Sequence, residues 1–309
     1  MMDGKFYFIV NTHSKTGGAA AEWAELESKL RELNINYEAF ITQYEHHATA
    51  LAEELTAAGD LINLIVCGGD GTVNEVLNGI RDLSQVVFGH IPLGSANDFA
   101  RGLKITGKPV EILEKILQSN SIEAYDIGQV EWSGGSRRFA ISAGAGIDAA
   151  VCREALTSKL KTFLNKFKMG SATYGLLTVK NLFSAPFIRG KITSSDGHEV
   201  CLDKVIFGAA MNFPYEGGGV PMAPHADAQD GKLSLCVAAD MPKLVCLLKF
   251  PKLLAAKHEH IKGFYIIESE SFKLTFDKTM VVHADGEDCG DLTEVTFRCL
   301  NQALKMPKL

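Results

Sequence analysis

The sequence has few of the features that mark secreted, zinc-binding or nucleic-acid-binding proteins. Its seven cysteines include no Cys-x-x-Cys pair, which argues against a disulfide framework and a structural zinc site. With a net charge of −6, the chain lacks the basic excess that is typical of proteins that bind nucleic acid. No apolar run approaches membrane-spanning length, and a strand-like start at residues 5–10 leaves no room for a signal peptide. We therefore expect a cytoplasmic protein without a membrane-spanning helix or a nucleic-acid partner.

The dominant feature is a glycine-rich turn at residues 68–72, which reads Gly-Gly-Asp-Gly-Thr. The apolar run LINLIV precedes it, and apolar residues follow it at the spacing of one buried helix face: Val73, Val76, Leu77 and Ile80. The turn therefore joins a strand to a helix, whose first N–H groups suit a phosphate. Asp70 fits such a site only if a cation such as Mg²⁺ accompanies the phosphates. The alternative is a tight turn with no ligand.

The first third of the sequence alternates strand-like and helix-like segments. The predicted strands lie at residues 5–10, 37–42, 61–66 and 86–93. This alternation predicts a parallel sheet covered by helices on both faces. Ligands of such sheets bind beyond the carboxyl ends of the strands. Polar turns lie at those ends, and we expect them to meet at one sheet edge: residues 11–15, Thr42, 68–72 and 94–98.

Beyond residue 124 the pattern changes to strands separated by turn residues. This pattern predicts a largely antiparallel β-sandwich domain, with helices inserted near 148–182 and 241–257. We place an α/β domain at residues 1–124 and the β-rich domain at 125–299, with the option that residues 300–309 pack back on the first. The predicted strands of the second domain are 124–132, 137–143, 187–193, 200–211, 232–239, 264–268, 272–276, 280–284 and 294–299.

Two segments resemble the signature pair of the diacylglycerol kinase catalytic family, particularly its soluble bacterial lipid kinases. They are GGDGTVNEVLNG and, about twenty residues later, IPLGSANDFARGL. Asp230-Gly231 and Asp285-Gly286-Glu287 match two further motifs in the same order. Residues 11–15 stand at the first nucleotide loop of the family, but they lack its proline after Asn11 and its glycine after Ser14. NAD kinases share the Gly-Gly-Asp-Gly-Thr turn without the paired Asn-Asp-Phe-Ala-Arg segment.

The resemblance implies an N-terminal fold like that of NAD kinase and phosphofructokinase, with an ATP site in its polar turns. Asp70 would engage phosphate-bound Mg²⁺, and Asp98 would complete the second loop with Asn97. Glu287 would be the general base that takes the proton from a lipid hydroxyl; its alternative is a solvated hairpin glutamate. The implied ATP-site residues are Asn11, Thr12, His13, Ser14, Lys15, Thr42, Gly68, Gly69, Asp70, Gly71, Thr72, Val73, Asn74, Glu75, Ser95 and Asn97.

Two further roles are implied by the resemblance. Arg101 and Asp126 would organise an acidic network between the domains; the alternative is a surface arginine and a strand-end aspartate. A structural Mg²⁺ would be held by the Asp230 carboxylate and by the backbone carbonyls of Asp227 and Lys232, since a hard cation accepts mixed oxygen ligands. A plain Asp-Gly turn is the alternative for this loop.

Residues 159–168 and 243–257 mix lysines with large apolar residues. Such segments can dock on a bilayer, although their apolar residues could equally face the core. We therefore predict an ATP- and Mg²⁺-dependent lipid kinase that converts diacylglycerol to phosphatidic acid at the inner face of the membrane. The sequence leaves open whether the protein forms a homodimer. The alternatives are an NAD or other small-molecule kinase on the same fold, and a nucleotide- or lipid-binding protein without turnover.

Overall fold

The computed structural model describes residues 4–14, 18–157 and 170–309. The N-terminal half contains a parallel sheet in the spatial order β2-β1-β3-β4. Its strands are β1 (Phe6–Val10), β2 (Tyr37–Ile41), β3 (Ile62–Gly68) and β4 (Val86–Pro92). Its helices are α1 (Gly18–Glu32), α2 (His47–Leu55), α3 (Asp70–Gly79), α4 (Asp98–Gly102) and α5 (Pro109–Gln118).

Residues 64–67 of strand β3 are all apolar because both faces of the strand are covered there. Leu64 and Val66 pack into a core with α2 and α3, whereas Ile65 and Cys67 pack into a core with α1 and α5. All four side chains are fully buried. Burial on both faces is characteristic of parallel sheets. The predicted α/β layout is therefore confirmed.

The C-terminal half pairs its strands antiparallel, as predicted. They are β5 (Ile122–Trp132), β6 (Gly135–Phe139), β7 (Ser142–Gly146), β8 (Ile188–Ser194), β9 (Glu199–Met211), β10 (Leu233–Ala239), β11 (Phe264–Ser269), β12 (Ser271–Ala284) and β13 (Glu287–Pro307). The helices are α6 (Ile147–Thr157), α7 (Gly170–Ser184) and α8 (Lys243–Leu254). Residues 159–168, one of the two basic segments, lie outside the described residues.

Three predictions of strand bounds are wrong. The segment 294–299 is only the middle of the longer strand β13, and the other two errors have local causes. The segment 137–143 divides into β6 and β7 because consecutive N–H groups at Ala140, Ile141 and Ser142 donate to the Asp285 carboxylate. Segments 272–276 and 280–284 instead form the single strand β12, whose pairing with β13 shifts register between Thr275 and Met280. Neither the break at residues 140–142 nor the register shift in β12 can be recognised from the pattern of apolar residues in the sequence.

Strand β13 joins the two halves into one continuous sheet. It pairs with β12 and β5 in antiparallel fashion, and its Lys305 pairs with Val87 of β4 in parallel fashion. The final segment of the chain therefore lies between the parallel and antiparallel regions. Within the described residues, no helix is both long and apolar enough to cross a bilayer.

The contact between α2 and α3 gives a stability prediction. A Cβ atom at Gly79 would lie 2.2 Å from the Thr49 carbonyl oxygen, whereas one at Gly71 of the same helix would meet nothing within 4 Å. Gly79→Ala should therefore lower the free energy of unfolding by about 1–3 kcal/mol. Urea unfolding measures this loss, with Gly71→Ala as the control. Equal stabilities of the two variants would contradict the packing.

Candidate active site

The turns after β3 and β4 touch each other through their glycines. A Cβ atom at Gly94 would lie 2.5 Å from the Gly69 Cα, so only a glycine fits at this contact. Leu93 also donates its N–H to the Gly68 carbonyl at 2.9 Å. The two predicted nucleotide turns therefore form one surface at the carboxyl edge of the sheet.

Asp70 connects the first of these turns to the helix that follows the second. Its two carboxylate oxygens accept the N–H groups of Asp98 at 3.0 Å and Phe99 at 3.1 Å, in the first turn of α4. Burial raises the pKa of Asp70, and the Phe99 N–H opposes this rise. From the sequence we predicted only that Asp70 engages Mg²⁺; its hydrogen bonds to α4 were not predicted.

Asn97 fixes the second turn from within. Its backbone is left-handed, with φ +52°, a conformation that asparagine tolerates. Its side chain accepts the N–H of Gly94 and donates to the carbonyl of the same residue, both at 2.9 Å. Ser95 lies exposed at the tip of this turn. The loop is thus closed by its own asparagine, and Ser95 stays accessible.

The first nucleotide loop lies beside the glycine turn. The Asn11 amide donates to the Thr72 hydroxyl at 3.1 Å and accepts the N–H of His13 at 3.0 Å. Thr42, at the end of β2, is buried and donates its N–H to the Val10 carbonyl. Thr12 and Ser14 are partly exposed in this loop, whereas Lys15 lies outside the described residues.

The next three residues predicted to line the ATP site direct their side chains into the protein. Val73 is fully buried in the core beneath the sheet. The Glu75 carboxylate accepts the Ala48 N–H at the start of α2. Asn74 is fully buried as well and faces the C-terminal half. The side chains of these three residues therefore contact other parts of the protein, and their place in the ATP site stays a prediction.

Asn74 joins the donor helix α3 to the antiparallel region. Its amide nitrogen donates to the Asp285 carboxylate at 2.9 Å and to the Arg138 carbonyl at 3.0 Å. Its amide oxygen accepts from Arg137 Nε at 3.0 Å and Nη2 at 2.7 Å. A fully buried amide with all these bonds satisfied holds α3, β6 and the β12–β13 turn in one arrangement.

Asp285 has a structural role in the Asp-Gly-Glu turn. Its carboxylate accepts four N–H groups, one from the Asn74 side chain and three from residues 140–142. Burial raises the pKa of Asp285, and the Ala140 N–H opposes this rise. Glu287 remains about one-quarter exposed, and its Oε2 lies 3.7 Å from Arg137 Nη2. Arg137 therefore contacts both the donor helix and the candidate base.

Asp98 and Arg101 make a second connection between the halves. Asp98 is 2% exposed and accepts the Gly218 N–H at 2.5 Å, from the loop between β9 and β10. Arg101 forms an ion pair with Asp98, and its guanidinium lies beside Gly219. Arg101 therefore lies where the two halves meet, and its role in an acidic network stays a prediction.

Asp126 connects other elements. This fully buried carboxylate accepts the Gly231 N–H at 2.7 Å and the Gln302 N–H at 2.6 Å. It thus fastens the loop before β10 to the irregular segment of β13. Asp126 therefore connects elements of the C-terminal half, and among the described residues no hydrogen bond or ion pair joins it to Arg101.

The loop that precedes β10 partly fits the predicted structural Mg²⁺. Asp230 donates its N–H to the Asp227 carbonyl at 3.4 Å, and its carboxylate accepts the Lys232 N–H at 2.9 Å. The Asp227 carboxylate turns away to the Gln229 N–H. One carboxylate and backbone carbonyls therefore lie in one turn, as mixed oxygen ligation requires. Burial raises the pKa of Asp230, which a bound cation would oppose.

The nucleotide edge fits a Mg²⁺ ion that arrives on phosphates. No cluster of three or more Asp, Glu, His or Cys side chains suited to a metal occurs among the described residues. Mg²⁺ in kinase sites needs only one or two carboxylates, since phosphates and water complete its octahedron. Asp70 is the carboxylate of the glycine turn and could supply such a ligand.

Two family models match the chain, one for each half. The diacylglycerol kinase catalytic domain matches residues 5–130, and the YegS C-terminal NAD kinase beta sandwich-like domain matches residues 141–307. The chain belongs to the diacylglycerol kinase family of lipid kinases. It is therefore a phosphotransferase, and the resemblance drawn from its motifs is confirmed.

Individual proteins are similar to this chain over most of their own length. A diacylglycerol kinase from Bacillus subtilis is 31% identical over 265 residues, which cover 80% of each chain. The crystal structure of a Bacillus anthracis diacylglycerol kinase is 20% identical, with a TM-score of 0.72 over 99% of this chain and 97% of that one. An ATP-bound NAD kinase from Archaeoglobus fulgidus shares the fold at 13% identity, with a TM-score of 0.52 over 98% of this chain and 93% of its own.

Two buried carboxyl groups, those of Glu216 and Asp148, interact with each other. Glu216 precedes the glycine loop that contains Gly218, and Asp148 is in the first turn of α6. Glu216 Oε2 and Asp148 Oδ1 are buried and find no hydrogen-bond partner among the described residues. Burial, and then the charge of Asp148, raises the pKa of Glu216 to about 7. The pair therefore favours a protonated Glu216.

This raised pKa predicts a pH-dependent stability. Between the ordinary pKa of 4.5 and about 7, folded Glu216 keeps a proton that the unfolded chain has lost, so stability falls as pH rises through this window. Glu216→Gln should remove the fall and gain about 2 kcal/mol over wild type between pH near 5 and near 8. Urea unfolding at both pH values measures the gain. A pH-independent difference between the two proteins would contradict the assignment.

Proposed function

We propose that the chain transfers the γ-phosphate of ATP to the hydroxyl of a membrane lipid, with diacylglycerol as acceptor and phosphatidic acid as product. The observation that carries this proposal is the position of Arg137. Its guanidinium bonds the Asn74 amide on the donor helix and lies 3.7 Å from Glu287 on the acceptor side. Arg137 thus links the helix that follows the glycine turn to the candidate base, which supports a reaction between the two.

The donor half of the reaction would be held at the sheet edge. The N–H groups at the start of α3 and the turn around Gly94 would bind phosphate oxygens. Asp70 would hold Mg²⁺, which supplies neutralisation of phosphate charge when bound. Support for ATP as the donor comes from the shared fold of the ATP-bound NAD kinase. Diacylglycerol as acceptor is supported by the names of the relatives.

The acceptor half would depend on Glu287. Its carboxylate is partly exposed, so a hydroxyl can approach it, and Arg137 orients it from one side. A carboxylate within hydrogen-bond reach of the hydroxyl takes its proton as the oxygen attacks phosphorus. Phosphoryl transfer needs little else from the protein than positioning and charge stabilisation. The remaining residues of the network would therefore act by fixing this geometry.

A base role for Glu287 predicts a selective loss of turnover. Glu287→Gln should reduce phosphatidic acid formation by roughly 10²–10⁴-fold, because the amide cannot take the proton. Its affinity for ATP should stay unchanged, since the residue lies on the acceptor side. Kinetics with diacylglycerol in mixed micelles and ATP-binding calorimetry measure the two quantities.

The matched control is Glu294→Gln, an exposed glutamate of the same strand that pairs with Lys273 at 2.8 Å. This variant should turn over like wild type. A Glu287→Gln protein that binds ATP poorly, or that keeps full turnover, would remove Glu287 from the base role.

Helices α7 and α8 present an apolar surface to solvent. Phe183 is 51% exposed, and Leu244 and Leu248 of α8 are 57% and 71% exposed. The opposite side of α8 is buried through Cys246 and Leu253. Lys243 joins the two helices, because it donates to the Phe183 carbonyl at 3.2 Å and lies 5.2 Å from the Phe187 ring centroid. A surface helix that is apolar on both sides indicates an interaction surface.

The charge of α8 points to an anionic bilayer as the occupant of this surface. Residues 241–258 contain four lysines and no Asp or Glu, in a chain of net charge −6. Lysines attract anionic lipid head groups, whereas a second copy of the same surface would repel them. We therefore include peripheral membrane contact through Leu244 and Leu248 in the proposed function.

Vesicle sedimentation tests this surface. Replacing Leu244 and Leu248 together by Ser should weaken binding to vesicles of phosphatidylglycerol and phosphatidylcholine about ten-fold or more, since apolar burial drives insertion. Leu61→Ser is the control, because Leu61 is 68% exposed on the opposite half of the chain. Unchanged binding of the double variant would exclude this surface from membrane contact.

A further inference from the structure

A histidine supports the turn that carries Glu287. Gly286 donates its N–H to His283 Nδ1 at 3.0 Å. The other ring nitrogen, Nε2, lies 3.3 Å from the Asp148 carboxylate at the start of α6. Because Nδ1 accepts a hydrogen bond, the proton of the neutral ring is on Nε2 and is donated to Asp148. The chain Asp148–His283–Gly286 therefore ends one residue from Glu287.

Strand β7 is built to accommodate this histidine and its aspartate. The His283 side chain is 4% exposed and the Asp148 side chain 12%. A Cβ atom at Gly144 would lie 2.0 Å from Asp148 Oδ2 and 2.9 Å from His283 Nε2. Only glycine at position 144 leaves room for the two groups to meet. The contact is therefore a packed feature of the interior.

We propose that His283, in its neutral Nε2–H form, is a positioning residue for Glu287, and that Asp148 holds the ring in this form. The proposal rests on the proposed function, because it takes Glu287 as the base. A protonated imidazole carries hydrogen on both nitrogens and cannot accept the Gly286 N–H. Acidification therefore withdraws support from the turn without touching the substrate.

Three carboxyl groups face the imidazole from different elements. They are Asp148 from α6, Glu216 from the loop between β9 and β10, and Asp285 from the β12–β13 turn. Burial disfavours the charged ring, but the hydrogen bond and charge of Asp148, with the other two groups, raise the pKa of His283 above its ordinary value. As pH falls, the hydrogen bond from the Gly286 N–H to His283 should therefore be lost at a higher pH than it would be with a histidine of ordinary pKa.

Three variants separate positioning from a purely structural role. His283→Leu removes both hydrogen bonds and should lower kcat roughly ten- to a hundred-fold with the KM for ATP unchanged. His283→Asn keeps an acceptor near the Nδ1 position but does not titrate. It should retain most of kcat near neutral pH and lose the acid-side fall in rate. Asp148→Asn keeps the acceptor and removes the charge, so the acid-side fall should move to lower pH.

The matched control is His258→Asn, at another fully buried histidine, whose Nε2 lies 2.9 Å from the Met222 carbonyl oxygen. It should leave the pH profile of kcat unchanged. A His283→Leu enzyme with kcat within about two-fold of wild type would overturn the proposal. So would a His283→Asn enzyme that keeps the wild-type acid-side fall.

Nitrogen NMR of the wild-type imidazole keeps the proposal testable if the leucine variant does not fold. At alkaline pH, where the ring is neutral, the expected spectrum has a proton on Nε2 and a bare Nδ1, and the titration midpoint of the ring follows the acid-side fall in kcat. A neutral ring whose proton is on Nδ1 would overturn the proposal. Normal turnover by Glu287→Gln would instead reject the base itself, so the two failures are distinguishable.

Discussion

The buried amide of Asn74 is the contact on which the arrangement of the site depends. It accepts two N–H groups of Arg137 and donates to Asp285 and to the Arg138 carbonyl. Each of these partners belongs to the antiparallel region, whereas Asn74 itself lies in the helix that begins at the glycine turn. Leaving one such buried partner unsatisfied costs about 1–3 kcal/mol. The amide thus stabilises one relative placement of the donor turn and the Asp-Gly-Glu turn.

Two further contacts join the same two halves. Asp98 accepts the Gly218 N–H, and β13 pairs with strands of both regions. These contacts lie on different elements, so the nucleotide edge and Glu287 are joined at more than one place. A fixed placement suits phosphoryl transfer, in which in-line geometry of the attacking and leaving oxygens carries much of the catalysis.

Sequence patterns predicted the fold and the order of the motifs, because each depends on neighbouring residues. The run before Gly68 and the helical spacing after it identify a strand-to-helix turn without any tertiary information. The partners of the motifs were not predictable in this way. Arg137 lies 63 residues from Asn74, and Asp285 lies 211 residues from it. Contacts over such distances leave no period in the sequence, so Arg137 and His283 carried no signal, and Asp285 was read only as part of a motif.

The central claim is that this chain phosphorylates a lipid hydroxyl from ATP. The most direct measurement supplies γ-labelled ATP and Mg²⁺ to the protein, with diacylglycerol in mixed micelles and NAD in a parallel reaction, and follows the label by chromatography. We expect labelled phosphatidic acid and no labelled NADP. Label in NADP, or intact nucleotide binding with no phosphorylated product from any lipid supplied, would contradict it.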